Sequence, residues 1–380
     1  MSGVVIVGAG PAGARCAERL RAGGYDRPVT LIGDEPVPPY RRPALSKELL
    51  AGTAGIGDLR LRPAGWWEDA GIELVLGSRV ERIDPARRSV ILAGGGDVSW
   101  DAVVIATGSR ARRLPELPPL RGIHTLRSLQ DSLRLRGDLR AGRRIVIVGA
   151  GFVGTEVAST ALSIGAEVTL VDPAPPLSRL LGDDVAGLLA ARYREHGVDL
   201  RTATVGEVEG TDDRVTAVRL GDGERIECDA LLVAVGAEPA VPAGIPQAPE
   251  GGIAADAGGR TDLDGVFACG DVARATHQLL RRDLRVEHWA DAAAQGVAVA
   301  DAILGADPAP RDLPLFWSDQ FGLRLQYVGH AHGWSAVELD GGPDEFCARY
   351  LDEEGRVLAA LVANRTRELG RLRREVREAA

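Results

Sequence analysis

One module occurs twice in this chain, and that repeat restricts the fold more than any other feature. Val4 to Asp34 reads VVIVGAGPAGARCAERLRAGGYDRPVTLIGD, and Ile145 to Pro173 reads IVIVGAGFVGTEVASTALSIGAEVTLVDP. Each copy opens on a β-branched run that suits a parallel strand buried on both faces. Each then passes through three glycines, Gly8, Gly10 and Gly13 or Gly149, Gly151 and Gly154, with Pro11 and Ala12 or Phe152 and Val153 between the last two. An Ala-rich helical pattern and a second apolar strand follow, the context in which a G-x-G-x-x-G pattern carries weight. The glycines permit a tight turn, close approach of a diphosphate, and close helix–strand contact. Amides and dipole at the helix start favour the negative charge by roughly 0.3–2 kcal/mol. Two such frames predict an α/β chain with two Rossmann-like domains, each binding a dinucleotide.

The copies differ where a ribose-binding acid is expected, about 20 residues after the glycines. The second ends its strand on Asp172, which can accept hydrogen bonds from an adenosine ribose and would repel a 2′-phosphate; this favours NAD over NADP, although Arg179 follows closely. The first has Gly33 there, with Asp34 and Glu35 one and two positions later, so it holds its nucleotide differently. Each half closes on a matching strand and turn, ending Ala106-Thr107-Gly108 and Val235-Gly236, where backbone can pass beside a bound nucleotide.

Of the 45 basic residues only Lys47 is a lysine, which marks it for a task that wants a compact charge on a flexible stem, unless it simply survives at the surface. Four cysteines, Cys16, Cys228, Cys269 and Cys347, lie too far apart for a local C-x-x-C site, and reduced buried thiols are expected. A net charge of −9 argues against general nucleic-acid binding. No apolar run approaches the length of a membrane helix, and no basic leader precedes the first strand. With a mean hydropathy of −0.03, a cytoplasmic protein without a membrane segment is expected.

Beyond the repeats, three stretches are specific: Tyr40-Arg41-Arg42-Pro43-Ala44-Leu45-Ser46-Lys47, Gly265-Val266-Phe267-Ala268-Cys269-Gly270-Asp271-Val272-Ala273, and Leu315-Phe316-Trp317-Ser318-Asp319-Gln320. With them the chain resembles, over nearly its whole length, the flavoprotein reductases with two dinucleotide-binding domains, and more narrowly the ferredoxin reductases of bacterial oxygenase systems. Ala44 departs from the family's usual proline. The resemblance implies a glutathione-reductase-like architecture: an FAD domain from residues 1–112 and 240–308, an NAD domain at 113–239, and a small C-terminal α/β domain at 309–380. FAD would occupy the first module and NAD(H) the second.

The resemblance also implies roles. Lys47 would sit beside the isoalloxazine, favouring its anionic reduced form. Asp271, after Gly270, would bond the ribityl chain. Arg42 and Arg127 match positions facing the FAD phosphates or neighbouring groups, and Val80 matches a main-chain adenine contact. Glu287, His288 and Trp289 match the segment leading to the flavin pyrimidine edge. Trp317 is either a core aromatic or a ring at the nicotinamide–flavin contact. Glu156 is either a first-turn carboxylate complementing the helix dipole or the group that orients the nicotinamide carboxamide.

The stretch from Tyr40 to Leu50 lacks the cysteine pair of the disulfide reductases, so electrons are expected to leave for an external carrier. By resemblance that carrier is a [2Fe-2S]-type ferredoxin serving a haem or Rieske oxygenase, reduced by single electrons after NADH has passed a hydride to FAD. Such carriers are acidic, and Arg110, Arg112, Arg113 and the arginines from Arg365 to Arg377 are candidates to steer docking, although the tail's glutamates equally suit a solvated helix. A rubredoxin reductase, the flavin module of a nitrite-reducing system, and an NADH-sensing flavoprotein of the apoptosis-inducing-factor kind are the alternatives. A monomer or weak homodimer is expected. The pair His330 and His332 lies in a glycine-flanked turn with no third ligand evident, so no metal site is expected.

Overall fold

The computed structural model describes residues 2–114 and 117–380. The described residues group into two compact units. The first spans residues 2–41, 59–110 and 238–315; the second spans 42–58, 111–237 and 316–380. The segment 42–58, which carries Lys47, therefore packs within the second unit rather than with the sequence that flanks it.

In the first unit β1 (Gly3–Val7) lies between β2 (Val29–Ile32) and the closing strand β6 (Asp97–Ile105), with β3 (Ile72–Val75) on the edge beyond β2. The pairing is parallel, Val5 opposite Thr30 on one side and Val103 on the other. Every residue of β1 is buried, as its continuous β-branched run requires. Beyond β6 the antiparallel strands β4 (Val80–Asp84) and β5 (Ser89–Leu92) complete one side, while Val266–Ala268 pairs in parallel with β6. Helix α1 (Pro11–Ala22) packs on the sheet and against the helix Trp289–Ile303, where Gly296 meets the backbone of Ala12 too closely to admit a Cβ.

The second unit repeats the plan. Its parallel sheet runs β10 (Asp199–Thr202), β9 (Glu167–Asp172), β8 (Arg144–Val148), β11 (Ala230–Val233), β7 (Ile123–His124). Strand β8 is again central, flanked by the module's own second strand and by the closing strand. Helices α2 (Leu129–Asp138), α3 (Phe152–Ser163) and α4 (Asp183–Glu195) surround it. Residues from 316 on form a five-stranded sheet in the order β12 (Leu315–Gln320), β13 (Leu323–Gly329), β16 (Val357–Ala363), β15 (Glu345–Leu351), β14 (Ala336–Gly342). The terminal helix α5 (Leu369–Ala379) packs on β13 and β16, burying Leu372 and Val376 and leaving its arginines outside.

Candidate active site

The glycines of the two modules take the same three parts. Gly8 and Gly149 adopt left-handed φ values of 117° and 104°, and a Cβ on either would collide with the carbonyl of Ala106 or Ala234 at the end of the closing strand. Gly13 and Gly154 press onto the carbonyl of Gly8 or Gly149. Gly10 and Gly151 differ: their backbones are extended (φ −82° and −78°), which any residue adopts, and a Cβ there would meet nothing within 4 Å. The chain itself does not require glycine at these two positions. Each caps a 12-residue helix with no side chain bonding the first amides. Open space over free amides is what a diphosphate needs, and both modules fit a dinucleotide. Val153, at the start of α3, is 40% exposed, and Phe152 beside it makes an edge contact with Phe316 at 4.6 Å.

At the second module's far end Asp172 binds the glycine turn to its own strand. Its Oδ2 accepts from the Ala150 amide and its Oδ1 from the Ala174 amide, both at 2.9 Å. Arg179, exposed, lies 3.8 Å from Oδ1. A cavity of about 240 Å³ opens beside Asp172, Ala174 and Thr202. In the first module Asp34 is exposed, whereas Glu35 accepts from the Tyr40 hydroxyl at 2.8 Å. Val80 begins β4 and is half-buried.

Asp271 follows Gly270, whose φ is 77°, in a short turn. Its Oδ2 accepts from the Ser109 hydroxyl at 2.9 Å, while the Gly270 amide donates to Gln295 Oε1 at 2.9 Å. Gln295 is in turn fixed by Asp291, which forms a fully buried ion pair with Arg311 at 3.0 Å. Thr107, after Ala106 and before Gly108 (φ 70°), donates to the Ala240 carbonyl at 2.7 Å. In the second unit Gly236, after Val235, has φ 99° and accepts from the Arg112 amide. Glu287 is exposed and paired with Arg285; His288 caps the helix that Trp289 begins.

Lys47 and Glu156 meet. The ammonium lies 2.6 Å from Glu156 Oε1, and the carboxylate is 8% exposed. Ser318 donates to the same oxygen at 2.6 Å and Ser46 to Oε2 at 2.5 Å. One turn along α3, Thr160 donates to the Ser46 carbonyl at 2.7 Å, so residues i and i+4 of one helix clamp the lysine segment. Ser132 of α2 donates to the Leu45 carbonyl, and Arg42 to the Arg127 carbonyl, both at 2.7 Å. A first-turn role for Glu156 is corrected: α3 begins at Phe152 with no acid in its first turn, and Glu156, at the fifth position, points into this network instead. Trp317 is half-buried on the face of β12 opposite Ser318. Sequence reasoning missed Ser46, Ser318, Ser132, Thr160, Ser109 and Gln295. Alternation along Trp317-Ser318-Asp319-Gln320 was the one available signal, since it puts Ser318 and Gln320 on a shared face.

All four thiols are free and buried. Burial pushes Cys228 and Cys269 up to about 12 and raises Cys16 and Cys347 as well. At neutral pH they are un-ionised and poor nucleophiles. N-ethylmaleimide at about pH 7.5, where such thiols stay protonated, should leave dye-linked turnover unchanged, and Ellman's reagent should count four thiols only after unfolding. Rapid inactivation that releases one thiol equivalent in the native protein would contradict this. Among the described residues no group of three potential ligands is placed to hold a metal ion, and no helix is long and apolar enough to cross a membrane.

Residues 2–296 match the family described as pyridine nucleotide-disulphide oxidoreductase, and residues 315–380 match the reductase C-terminal family. The chain belongs to the pyridine nucleotide-disulphide oxidoreductase family. Within that family it is 37% identical to the ferredoxin–NAD(P)(+) reductase of Sphingomonas sp, over 96% of this chain and 90% of that one. It is 38% identical to the ferredoxin–NAD(+) reductase component of the biphenyl dioxygenase system of Paraburkholderia xenovorans (strain LB400), over 96% and 90%. The crystal structure of the covalent putidaredoxin reductase–putidaredoxin complex superposes with a TM-score of 0.94 at 34% identity, covering 100% of this chain and 93% of that one. The resemblance read from the motifs and the α/β architecture therefore both hold. Among the oxidoreductases of this family, the chain falls with the ferredoxin reductases of oxygenase systems.

Proposed function

We propose that this protein is an FAD-dependent ferredoxin reductase that takes reducing equivalents from NADH and delivers them to a [2Fe-2S]-type ferredoxin serving an oxygenase in the cytoplasm. The observation that supports it most directly is the pair of glycines, Gly10 and Gly151, each facing open space over a helix start with no need of its own for glycine. Bound FAD supplies the conversion of a two-electron donor into one-electron deliveries.

The chain's own residues bind, orient and tune. In the first unit the amides of α1 meet the FAD diphosphate, and Asp271, steadied by Ser109, bonds the sugar chain. In the second unit the amides of α3 meet the NADH diphosphate. Asp172 keeps lone pairs for the adenosine ribose after accepting its two backbone amides, which disfavours a 2′-phosphate. Lys47 supplies a fixed positive charge whose place is set by Glu156. Trp317 offers its half-buried ring for stacking. No acid–base side chain is required of the site, because orientation accounts for hydride transfer.

Purified protein is expected to be yellow, to bleach rapidly with NADH, and to reduce cytochrome c only when a ferredoxin is added. Docking is steered by the exposed arginines Arg112 and Arg113 and those on the outer face of α5. Raising salt from 50 to 500 mM, where screening shortens to about 4 Å, should therefore cut ferredoxin-dependent turnover by about an order of magnitude. Direct NADH-to-ferricyanide turnover should barely change. Equal salt sensitivity of the two assays would count against charge-steered docking, and a ferredoxin panel that never supports cytochrome c reduction would remove the proposal.

A further inference from the structure

The Lys47–Glu156 pair has a third arm, in which two residues of the Leu315–Gln320 stretch are joined by one from a distant helix. Behind Ser318 lies Gln320 and behind that Tyr193 of α4: Tyr193 donates to Gln320 Oε1 at 2.8 Å, Gln320 Nε2 to Ser318 Oγ at 3.1 Å, and Ser318 to Glu156 Oε1 at 2.6 Å. The three side chains are 0%, 3% and 1% exposed. We infer that Tyr193, Gln320 and Ser318 are positioning residues, a one-way hydrogen-bond chain that fixes the Glu156 carboxylate and through it the Lys47 ammonium.

The direction of the chain follows from proton counting. A carboxylate only accepts, so the single Ser318 proton goes to Glu156 and the Ser318 oxygen must accept from behind. Only the amide nitrogen of Gln320 can donate there, which turns its carbonyl toward Tyr193. The Tyr193 hydroxyl must then donate, and burial, which holds that phenol far above its usual range, keeps it a donor at any working pH. Each donor polarises the next, and all three point at the one negative charge in a dry setting where such chains strengthen. The strand end is held independently: the Phe321 amide donates to Ser159 Oγ at 2.8 Å, the Arg192 guanidinium donates to the Phe321 carbonyl at 3.0 Å, and the Phe321 ring lies 4.4 Å from that of Tyr193. The C-terminal sheet thus reaches the lysine through Ser318 of β12, which bonds the carboxylate that pairs with it. The catalytic consequence rests on the proposed function; the positioning itself does not.

Because Lys47 is the sole lysine, protein grown on [13Cε,15Nζ]lysine gives one side-chain resonance that reports this ammonium alone. In the holoprotein Ser318→Ala should move and broaden that resonance, Gln320→Met should do so less, and Tyr193→Phe least, in the order of distance along the chain. Ser318→Thr, which restores the hydroxyl, should return it to the wild-type position. In stopped flow, Ser318→Ala should lower the limiting rate of flavin reduction by about tenfold, the weight of one charge-assisted hydrogen bond, with the NADH concentration for half-maximal rate unchanged. If Ser318→Ala does not fold, the order of Gln320→Met and Tyr193→Phe still decides. An unmoved Lys47 resonance in the folded variants, or shifts that follow the loss of melting temperature rather than the order of the chain, overturns the inference. A colourless protein whose Lys47 resonance still responds in that order would instead remove the proposed function and leave the chain of bonds standing.

Discussion

Gly10→Val is expected to yield a folded, colourless protein. The Gly10 backbone is extended and a Cβ there meets no atom of the chain within 4 Å, so circular dichroism and solubility should match the parent. The added isopropyl group occupies the space over the first amides of α1, and FAD affinity should fall by at least about a hundredfold, the loss of two charge-assisted hydrogen bonds. Gly151→Val is the matched control in the other unit. It should stay yellow and be bleached by dithionite, yet need at least about a hundredfold more NADH for the same reduction rate, for the same reason. Visible absorbance and an NADH titration of the two variants side by side separate the sites. Should Gly10→Val bind FAD normally, or should the two variants lose the same cofactor, the assignment of one dinucleotide to each unit is wrong.

Lys47→Met carries the second large effect. Removing one partner of a buried pair typically costs about 3–5 kcal/mol. Here Ser46 and Ser318 still donate to the carboxylate, so a loss of about 2 kcal/mol is expected instead. Lys47→Met combined with Glu156→Gln removes the stranded charge, and the new side-chain amide can still accept from Ser318 while donating to Ser46; that double variant should regain most of the stability. Turnover should not return. Loss of a fixed charge facing the reacting group costs on the order of a hundredfold in rate, and the double variant should remain as slow as Lys47→Met with ferricyanide as acceptor. Denaturant melts and NADH–ferricyanide rates on three proteins give the answer. Full turnover in Lys47→Met would place the chain's sole lysine outside the chemistry.

The twin modules were legible because their information is local. Glycines at fixed offsets, a buried strand before them and Asp172 at the end of the next strand all fall within a single strand–helix–strand unit, and short-range sterics decide them. The clamp around Lys47 was not. Lys47, Glu156 and Ser318 come from three distant parts of the sequence, and the local alternation that puts Ser318 and Gln320 on one strand face does not tell which helix that face meets. Serine and threonine are ordinary surface residues by type, and only burial turns Ser46, Ser132, Thr160 and Ser318 into directed donors. The excursion of residues 42–58 into the second unit was equally hidden, since it is held by side chains of α2 and α3 bonding backbone carbonyls rather than by strand pairing that a hydrophobic period announces.

Helix α3 is a single 12-residue rod whose first turn faces the second dinucleotide opening and whose fifth residue grips the ammonium, about 6 Å along its axis at 1.5 Å per residue. A stiff element with two such duties is a lever. If the second opening takes the donor as proposed, a tilt imposed at the tip would be shared, without an intervening hinge, by the carboxylate paired with Lys47.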